Sequence, residues 1–154
     1  MIDARFGHVN VIARDWRALA GFYSEVFGCT LVPPERDYRG AELEAVTGVA
    51  GAALRGAHLR LPGLGPDGPT LEIYQFAAMP DGEPGPVTRP GLRHLAFAVP
   101  SVAAARDAVL AAGGGVVGEI VTLQTADGRF VTLIYATDPE RNIVELQSWS
   151  DVAP

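Results

Sequence analysis

Two histidines and two glutamates have residue types and spacing suited to a metal site. His8 and His94 each lie in a short apolar stretch, and Glu72 and Glu145 each lie in a later apolar stretch of the same half of the chain. Imidazole nitrogen and carboxylate oxygen together suit first-row divalent ions such as Ni²⁺, Co²⁺, Mn²⁺, Zn²⁺ or Fe²⁺. The four residues predict one bound divalent ion, and the ligand types alone leave its identity open.

The segments that carry the two histidines repeat at an interval of 86 residues. Three pairs keep this interval: His8 and His94, Asp15 and Ser101, and Gly28 and Gly114. The second pair are helix-capping residue types, and the third are helix-ending glycines. Three features in one register indicate that a single supersecondary unit has been used twice.

Strand alternation places the candidate ligands on defined faces, because residues two apart in a strand share a side. His94 shares its face with Ala96 and Ala98, which leave space in front of the imidazole. Glu72 shares its face with Tyr74, and a carboxylate on a largely apolar strand needs a partner.

Hydrophobic periodicity and turn residues predict the same βαβββ order in both halves. The predicted strands cover about residues 5–13, 30–32, 52–61, 70–76, 91–100, 116–124, 129–136 and 142–149, and the predicted helices begin at Asp15 and Ser101. Pro33-Pro34 is expected to end the second strand, and residues 35–50 are expected to be helical only locally around 42–46. We expect a single domain over 1–154, made of one copy at about 5–76, a Pro- and Gly-rich linker at 77–90, and a second copy at about 91–149.

Composition limits the class of protein. The chain has 154 residues, of which 48% are hydrophobic and 19% charged, as expected for one globular domain. The net charge of −6 argues against a nucleic-acid partner, and no stretch predicts a secretory signal or a membrane span. A single cysteine, Cys29, fits a reducing cytoplasm and is interpreted as a small buried hydrophobe.

A competing interpretation makes His8 and His94 ordinary core residues and pairs the glutamates with arginines. Four residues at matched positions of a duplicated unit favour the metal site instead. His58 shares a strand face with Arg60 and has no counterpart histidine in the second half, so it is interpreted as lining a pocket or a surface. The residues predicted to contact a small-molecule substrate are Asn10, Ile12, His58, Arg60, Tyr74, Phe76 and Trp149.

Five motifs, in this order, resemble the vicinal oxygen chelate superfamily, which includes glyoxalase I, methylmalonyl-CoA epimerase, extradiol dioxygenases, fosfomycin-modifying enzymes and bleomycin-binding proteins. The motifs lie at residues 7–11, 22–28, 71–73, 94–99 and 138–146. The resemblance implies an α+β fold in which two βαβββ modules form a cupped eight-stranded mixed sheet with helices on its outer face, often in a homodimer. It also implies that His8, Glu72, His94 and Glu145 are the metal ligands.

Three functions are compatible with this resemblance. In the first, a metal-bound substrate with neighbouring oxygens loses a carbon-bound proton to Glu145 or Glu72, which gives lyase, isomerase or epimerase chemistry through an enediolate-like intermediate. The second is a ligand-sequestering protein of the resistance type, in which metal ligands are normally missing. The third is oxygen activation by Fe²⁺, which uses two histidines and one carboxylate.

Two departures from bacterial glyoxalase I bear on the substrate. Those enzymes typically carry an arginine and an asparagine where this chain has Ile12 and Phe76, and both residues help to hold glutathione. Losing a charge-assisted hydrogen bond forfeits about 1.5–3 kcal/mol, so two losses cost roughly a hundredfold or more in affinity. We therefore expect a small, partly hydrophobic oxo acid or carbonyl compound, acted on without glutathione.

Overall fold

The computed structural model describes residues 2–153, which divide into two compact α+β units. The first unit ends at Asp81 and the second begins at Gly82; we call them module one and module two. Within the described residues, no helix is both long enough and apolar enough to cross a membrane.

Module one contains a four-stranded mixed sheet and two helices. Its elements are β1 (His8–Ile12), α1 (Trp16–Phe27), β2 (Thr30–Arg39), α2 (Ala41–Thr47), β3 (Ala53–Arg60) and β4 (Thr70–Phe76). The strand order is β1-β4-β3-β2, with β1 parallel to β4 and the other pairs antiparallel. The two central strands are β4 and β3, so their side chains lie at the centre of the sheet.

Helix α1 has the predicted start and end. The carboxylate of Asp15 accepts hydrogen bonds from the backbone N–H groups of Arg17 and Ala18, both at 3.1 Å, and Gly28 ends the helix with φ 70°. Its buried face packs against β2, β3 and β4. Cys29 follows the helix and is buried, which raises the pKa of its thiol to about 11.

The prediction that Pro33-Pro34 ends the second strand was wrong. β2 continues to Arg39, and the peptide bond between the two prolines is cis. Val32 lies opposite His58 and Arg36 lies opposite Gly56, so β2 has two more residues than β3 across this interval. An edge strand with a bulge tolerates proline because no ladder hydrogen bond is required there.

The two faces of the module one sheet differ in character. Leu59, Leu71 and Ile73 are buried on the face that α1 covers. The opposite face, which we call the site face, carries His8, Asn10 and Glu72. It also carries Thr70, which is in register with His8, and His58, which is in register with Glu72. The alternation predicted for β1 is confirmed, since its odd-numbered residues are the more buried ones.

Module two contains a second mixed sheet. Its elements are β5 (His94–Ala98), α3 (Val102–Ala111), β6 (Gly115–Val116), β7 (Val121–Gln124), β8 (Phe130–Thr137) and β9 (Ile143–Ser150). The order is β5-β9-β8-β6, β7 also pairs with β8, and β5 is parallel to β9. The hydroxyl of Ser101 caps α3 by accepting from the N–H of Ala104 at 3.2 Å, as predicted.

Two details of module two differ from prediction. The strand expected over 116–124 is two short strands, because Val116 pairs with Ala136 while Val121 pairs with Leu133, which leaves two extra residues between them. The left-handed glycine after α3 is Gly113, with φ 87°, rather than Gly114. The exact 86-residue repeat of the helix-ending glycines is therefore not kept.

Candidate metal centre

Glu72 is the centre of a polar cluster on the site face of module one. Glu72 is 9% exposed, and its carboxylate accepts a 2.8 Å hydrogen bond from the amide of Asn10. His58 Nε2 lies 2.9 Å from Glu72 Oε1, and His8 Nε2 lies 3.5 Å from Glu72 Oε2. Strand pairing explains these neighbours, because Asn10 and His58 lie directly opposite Glu72 on either side of β4.

The imidazole of His58 is held at both nitrogens. Its Nδ1 lies 2.8 Å from the hydroxyl of Thr70, and its Nε2 faces Glu72. Burial lowers the pKa of His58 below its ordinary value, while the neighbouring Glu72 acts in the opposite direction. With an ion bound between His58 and Glu72, Nδ1 would donate to the Thr70 hydroxyl and Nε2 would present its lone pair to the ion.

Tyr74 lies two residues after Glu72 on the same face of β4 and contacts its carboxylate. Burial first, and then the hydrogen bond to Glu72, raise the pKa of Tyr74 well above its ordinary value. Its ring meets that of His58 edge to face, with centroids 6.3 Å apart. Gly56 leaves room for this ring, because a Cβ at that position would collide with the Tyr74 ring and with the carbonyl oxygen of Ile73.

Three of these residues form a donor set for a divalent ion. Ligand atoms of His8, His58 and Glu72 all lie within 4.8 Å of one another. Two imidazoles and one carboxylate, with Asn10 and Thr70 orienting them, fit the preferences of first-row ions. The chemistry of this set therefore fits a metal.

Module two has a simpler pair at the corresponding strand positions. His94 Nε2 lies 3.2 Å from Glu145 Oε2, and the His94 ring stacks obliquely on Tyr135 with centroids 5.2 Å apart. Tyr135 lies opposite Glu145, as His58 lies opposite Glu72. Each predicted histidine and glutamate therefore meets within its own module, and the four-residue ligand set stays a prediction.

The remaining residues predicted to bind substrate have varied settings. Ile12 is exposed at the end of β1 on the site face, and Phe76 ends β4. Arg60 donates to the carbonyl oxygens of Gly65 and Pro66 in the loop that follows β3. In module two, the Arg129 guanidinium lies over the ring of Trp149, 4.7 Å from its centroid.

The role of His58 in the cluster could not be read from its sequence context. Its contact with Glu72 depends on the register between β3 and β4, and a proline- and glycine-rich loop separates these strands. Thr70, the first residue of β4, was not singled out for the same reason. The signal that could have found both residues is a polar side chain directly opposite a predicted ligand in an adjacent strand: His58 is opposite Glu72, and Thr70 is opposite His8.

The comparisons with known proteins agree with this fold. The sequence matches the profile of the Glyoxalase/Bleomycin resistance protein/Dioxygenase superfamily over residues 5–146, and the chain belongs to that superfamily. The resemblance to vicinal oxygen chelate proteins predicted from the motifs is thereby confirmed. A search of curated proteins finds no match.

Solved structures of bacterial proteins share the architecture. A glyoxalase family protein from Bacillus cereus has a TM-score of 0.82 at 18% identity, with 97% of this chain and 96% of that chain covered. A glyoxylase/bleomycin resistance protein/dioxygenase domain from Frankia has a TM-score of 0.61 at 17% identity, with 99% and 96% covered. A glyoxalase family protein from Enterococcus faecalis has a TM-score of 0.60 at 22% identity, with 93% and 96% covered. At these identities the likeness shows the fold alone.

Proposed function

We propose that this chain is a divalent-metal-dependent lyase, isomerase or epimerase that moves a proton on the carbon beside the carbonyl of a small oxo acid or carbonyl compound. The observation that carries the proposal is the convergence of His8, His58 and Glu72 on the site face. His8 and Glu72 belong both to this cluster and to the ligand set predicted from the sequence. His58 completes a set within module one, whereas the sequence prediction adds His94 and Glu145.

The residues around the trio prepare it to hold an ion. Thr70 fixes one nitrogen of His58, and Asn10 and Tyr74 engage the Glu72 carboxylate, so the ligands are oriented before an ion arrives. A divalent ion bound there would act as a Lewis acid and stabilise negative charge on a substrate oxygen. The low exposure of Glu72 would strengthen that electrostatic interaction.

We propose that a glutamate transfers the proton, with Glu72 and Glu145 as the two candidates. Asn10, His58 and Tyr74 already engage Glu72. Among residues 2–153, the side chain within ion-pair or hydrogen-bond distance of Glu145 is that of His94. Within its own module, Glu145 is therefore engaged by fewer side chains than Glu72 is.

The substrate and setting follow the sequence prediction. Ile12 and Phe76 cannot donate to the carboxylates of glutathione, so we propose chemistry that does not depend on that thiol. We also propose that the protein acts in the cytoplasm as a homodimer. Sedimentation of the purified protein would test the proposed homodimer, since a monomer at micromolar concentration would contradict it.

Proton exchange tests the reaction directly. The protein is loaded separately with Ni²⁺, Co²⁺, Mn²⁺ and Zn²⁺ and incubated in deuterium oxide with a panel of 2-oxo acids and ketones. We expect metal-dependent loss of one carbon-bound proton signal in the NMR spectrum, and at least a hundredfold slower loss in either Glu145→Gln or Glu72→Gln. Exchange at the wild-type rate in metal-free protein would contradict the proposal. Turnover of the methylglyoxal–glutathione hemithioacetal at about 10⁴ M⁻¹s⁻¹ or above would contradict the glutathione-independent part.

A second candidate function is favoured by the composition of the trio. Two histidines and one carboxylate form the ligand set typical of Fe²⁺ oxygenases. Oxygen uptake with Fe²⁺-loaded protein distinguishes the candidates, because the proton-transfer reaction consumes no oxygen. Uptake that depends on both Fe²⁺ and an organic substrate would favour the oxygenase.

A further inference from the structure

Arg36 lies on the site face beside the metal cluster. It is in register with Gly56 of β3, which is in turn in register with Tyr74 of β4. Directly opposed residues of antiparallel strands point to the same side. The Arg36 side chain therefore shares its face with Tyr74 and with His58, which is two residues along β3 from Gly56.

The Arg36 guanidinium lacks a carboxylate partner. It is half-buried and donates to the backbone carbonyl oxygen of Pro34, and within residues 2–153 no carboxylate oxygen lies within 4.0 Å of it. Three other arginines of module one do have such partners: Arg17 pairs with Glu35, and Arg39 and Arg55 pair with Asp37. A half-buried cation without a counterion is costly, and an anionic group bound beside it would remove that cost.

Two half-buried arginines on the site face, Arg36 and Arg60, have no carboxylate partner among residues 2–153. The Arg60 guanidinium donates to two carbonyl oxygens of the loop that follows β3. Arg36 lies opposite Gly56, which has no side chain to separate Arg36 from Tyr74 on the next strand. Arg36 is therefore the cation that is in register with Tyr74 across Gly56.

The fold does not require a cation at this position. In module two, Val121 lies opposite Leu133 after the same two-residue excess in the edge strand, and so corresponds to Arg36 opposite Gly56. An apolar residue is accepted there, and Val121 is 44% exposed. The arginine in module one is thus a feature of the site face and not of the strand geometry.

We propose that Arg36 binds a carboxylate of the substrate, which makes the substrate a small oxo or hydroxy acid rather than a neutral carbonyl compound. The inference rests on the proposed function in calling this ligand the substrate. A guanidinium can hold a carboxylate by two parallel hydrogen bonds, which fixes the orientation of the acid as well as binding it. The uncharged end of the acid then lies toward His58 and Tyr74.

Matched acids and esters test this assignment. Binding of 2-oxobutanoate, 2-oxopentanoate and their methyl esters is followed by amide chemical shifts, in chelator-treated and in Zn²⁺-loaded protein. The variants are Arg36→Gln, Arg36→Lys and, as control, Arg55→Gln, which removes the same charge from the neighbouring position on the opposite face of β3. Each variant is first checked for a wild-type pattern of amide shifts outside the site face.

We expect the wild-type protein to bind each acid at least tenfold more tightly than its ester. Arg36→Gln should weaken acid binding about tenfold or more and leave ester binding unchanged, Arg36→Lys should retain part of the preference, and Arg55→Gln should match the wild type. Equal binding of acid and ester by the wild type, unchanged acid binding in Arg36→Gln, or an equal loss in Arg55→Gln would overturn the proposal. Because the preference is also measured without metal, loss of the metal site would leave this result readable.

Discussion

Glu72 and Glu145 occupy the same position in their sheets but have different neighbours. Each lies in the last strand of its module. On one side it is directly opposite a residue of the parallel first strand, and on the other side it is directly opposite a residue of the neighbouring antiparallel strand. At these two flanking positions module one has Asn10 and His58, and module two has Ala96 and Tyr135. The backbone scaffold is shared, and the chemistry is decided by the few side chains that face each carboxylate.

The difference shows how a duplicated unit becomes specialised. In module one, hydrogen bonds and ion pairs hold the carboxylate on several sides, which suits a ligand that must keep its orientation. In module two the carboxylate meets one imidazole, which suits a group that gives and takes a proton. Three predictions test this contrast, beginning with the largest expected effect.

Replacing His58 should impair metal binding more than replacing a residue that lies outside the trio. We expect His58→Gln to weaken Zn²⁺ binding about a hundredfold or more, since even the loss of a group that only orients a ligand costs 10–100-fold. Competition with a coloured chelator measures the affinity. The matched variant is His94→Gln in module two. A comparable loss in His94→Gln with none in His58→Gln would replace the trio by the four residues predicted from the sequence.

Adding a methyl group at Gly56 should destabilise module one. The Cβ of Gly56→Ala would meet the Tyr74 ring and the Ile73 carbonyl oxygen, and overpacking of this kind typically costs about 1–3 kcal/mol. Urea unfolding measures the change in the free energy of unfolding. Gly118→Ala in module two is the control, because no heavy atom lies within 4 Å of the added group and a change within about 0.5 kcal/mol is expected. Equal stabilities of the two variants would show that Tyr74 adapts easily.

The smallest effect should appear in the pH dependence of stability. Burial lowers the pKa of His58 below its unfolded value, so the unfolded chain binds this proton more readily than the folded protein. The contribution to stability is therefore present above the ordinary histidine pKa of about 6.5 and is lost as the pH falls toward the lower folded pKa. Module two has Tyr135 at this position in place of a histidine.

The test compares metal-free wild type with His58→Gln between pH 7.5 and 5 by urea unfolding, with the histidine ring protons followed by NMR. The variant should lose less stability over that interval than the wild type. Identical profiles, or a His58 pKa at or above its ordinary value, would contradict this prediction.

The features readable from the sequence were those set by local rules. The period of two in β1 and β5 correctly placed His8 and His94 opposite apolar neighbours, and Asp15 and Ser101 correctly marked the helix starts. These signals depend on residues within one turn or one strand. They do not require knowledge of which strands pair.

Features that depend on pairing were not readable. His58 meets Glu72 because the loop between β3 and β4 sets a particular register, and composition alone does not specify a register across such a loop. Arg36 was overlooked because two prolines predicted the end of a strand that in fact resumes beyond a bulge. The site therefore includes residues whose importance lies in neighbours distant along the chain.

The interruption in β2 has a further consequence for association between chains. β2 is an edge strand of its sheet, and Pro33 and Pro34 provide no amide hydrogen to an approaching strand. Beyond them the edge carries the charged residues Glu35, Asp37 and Arg39. Edges of this kind resist the addition of foreign strands, so the bulge also protects module one against fibril-like aggregation along β2.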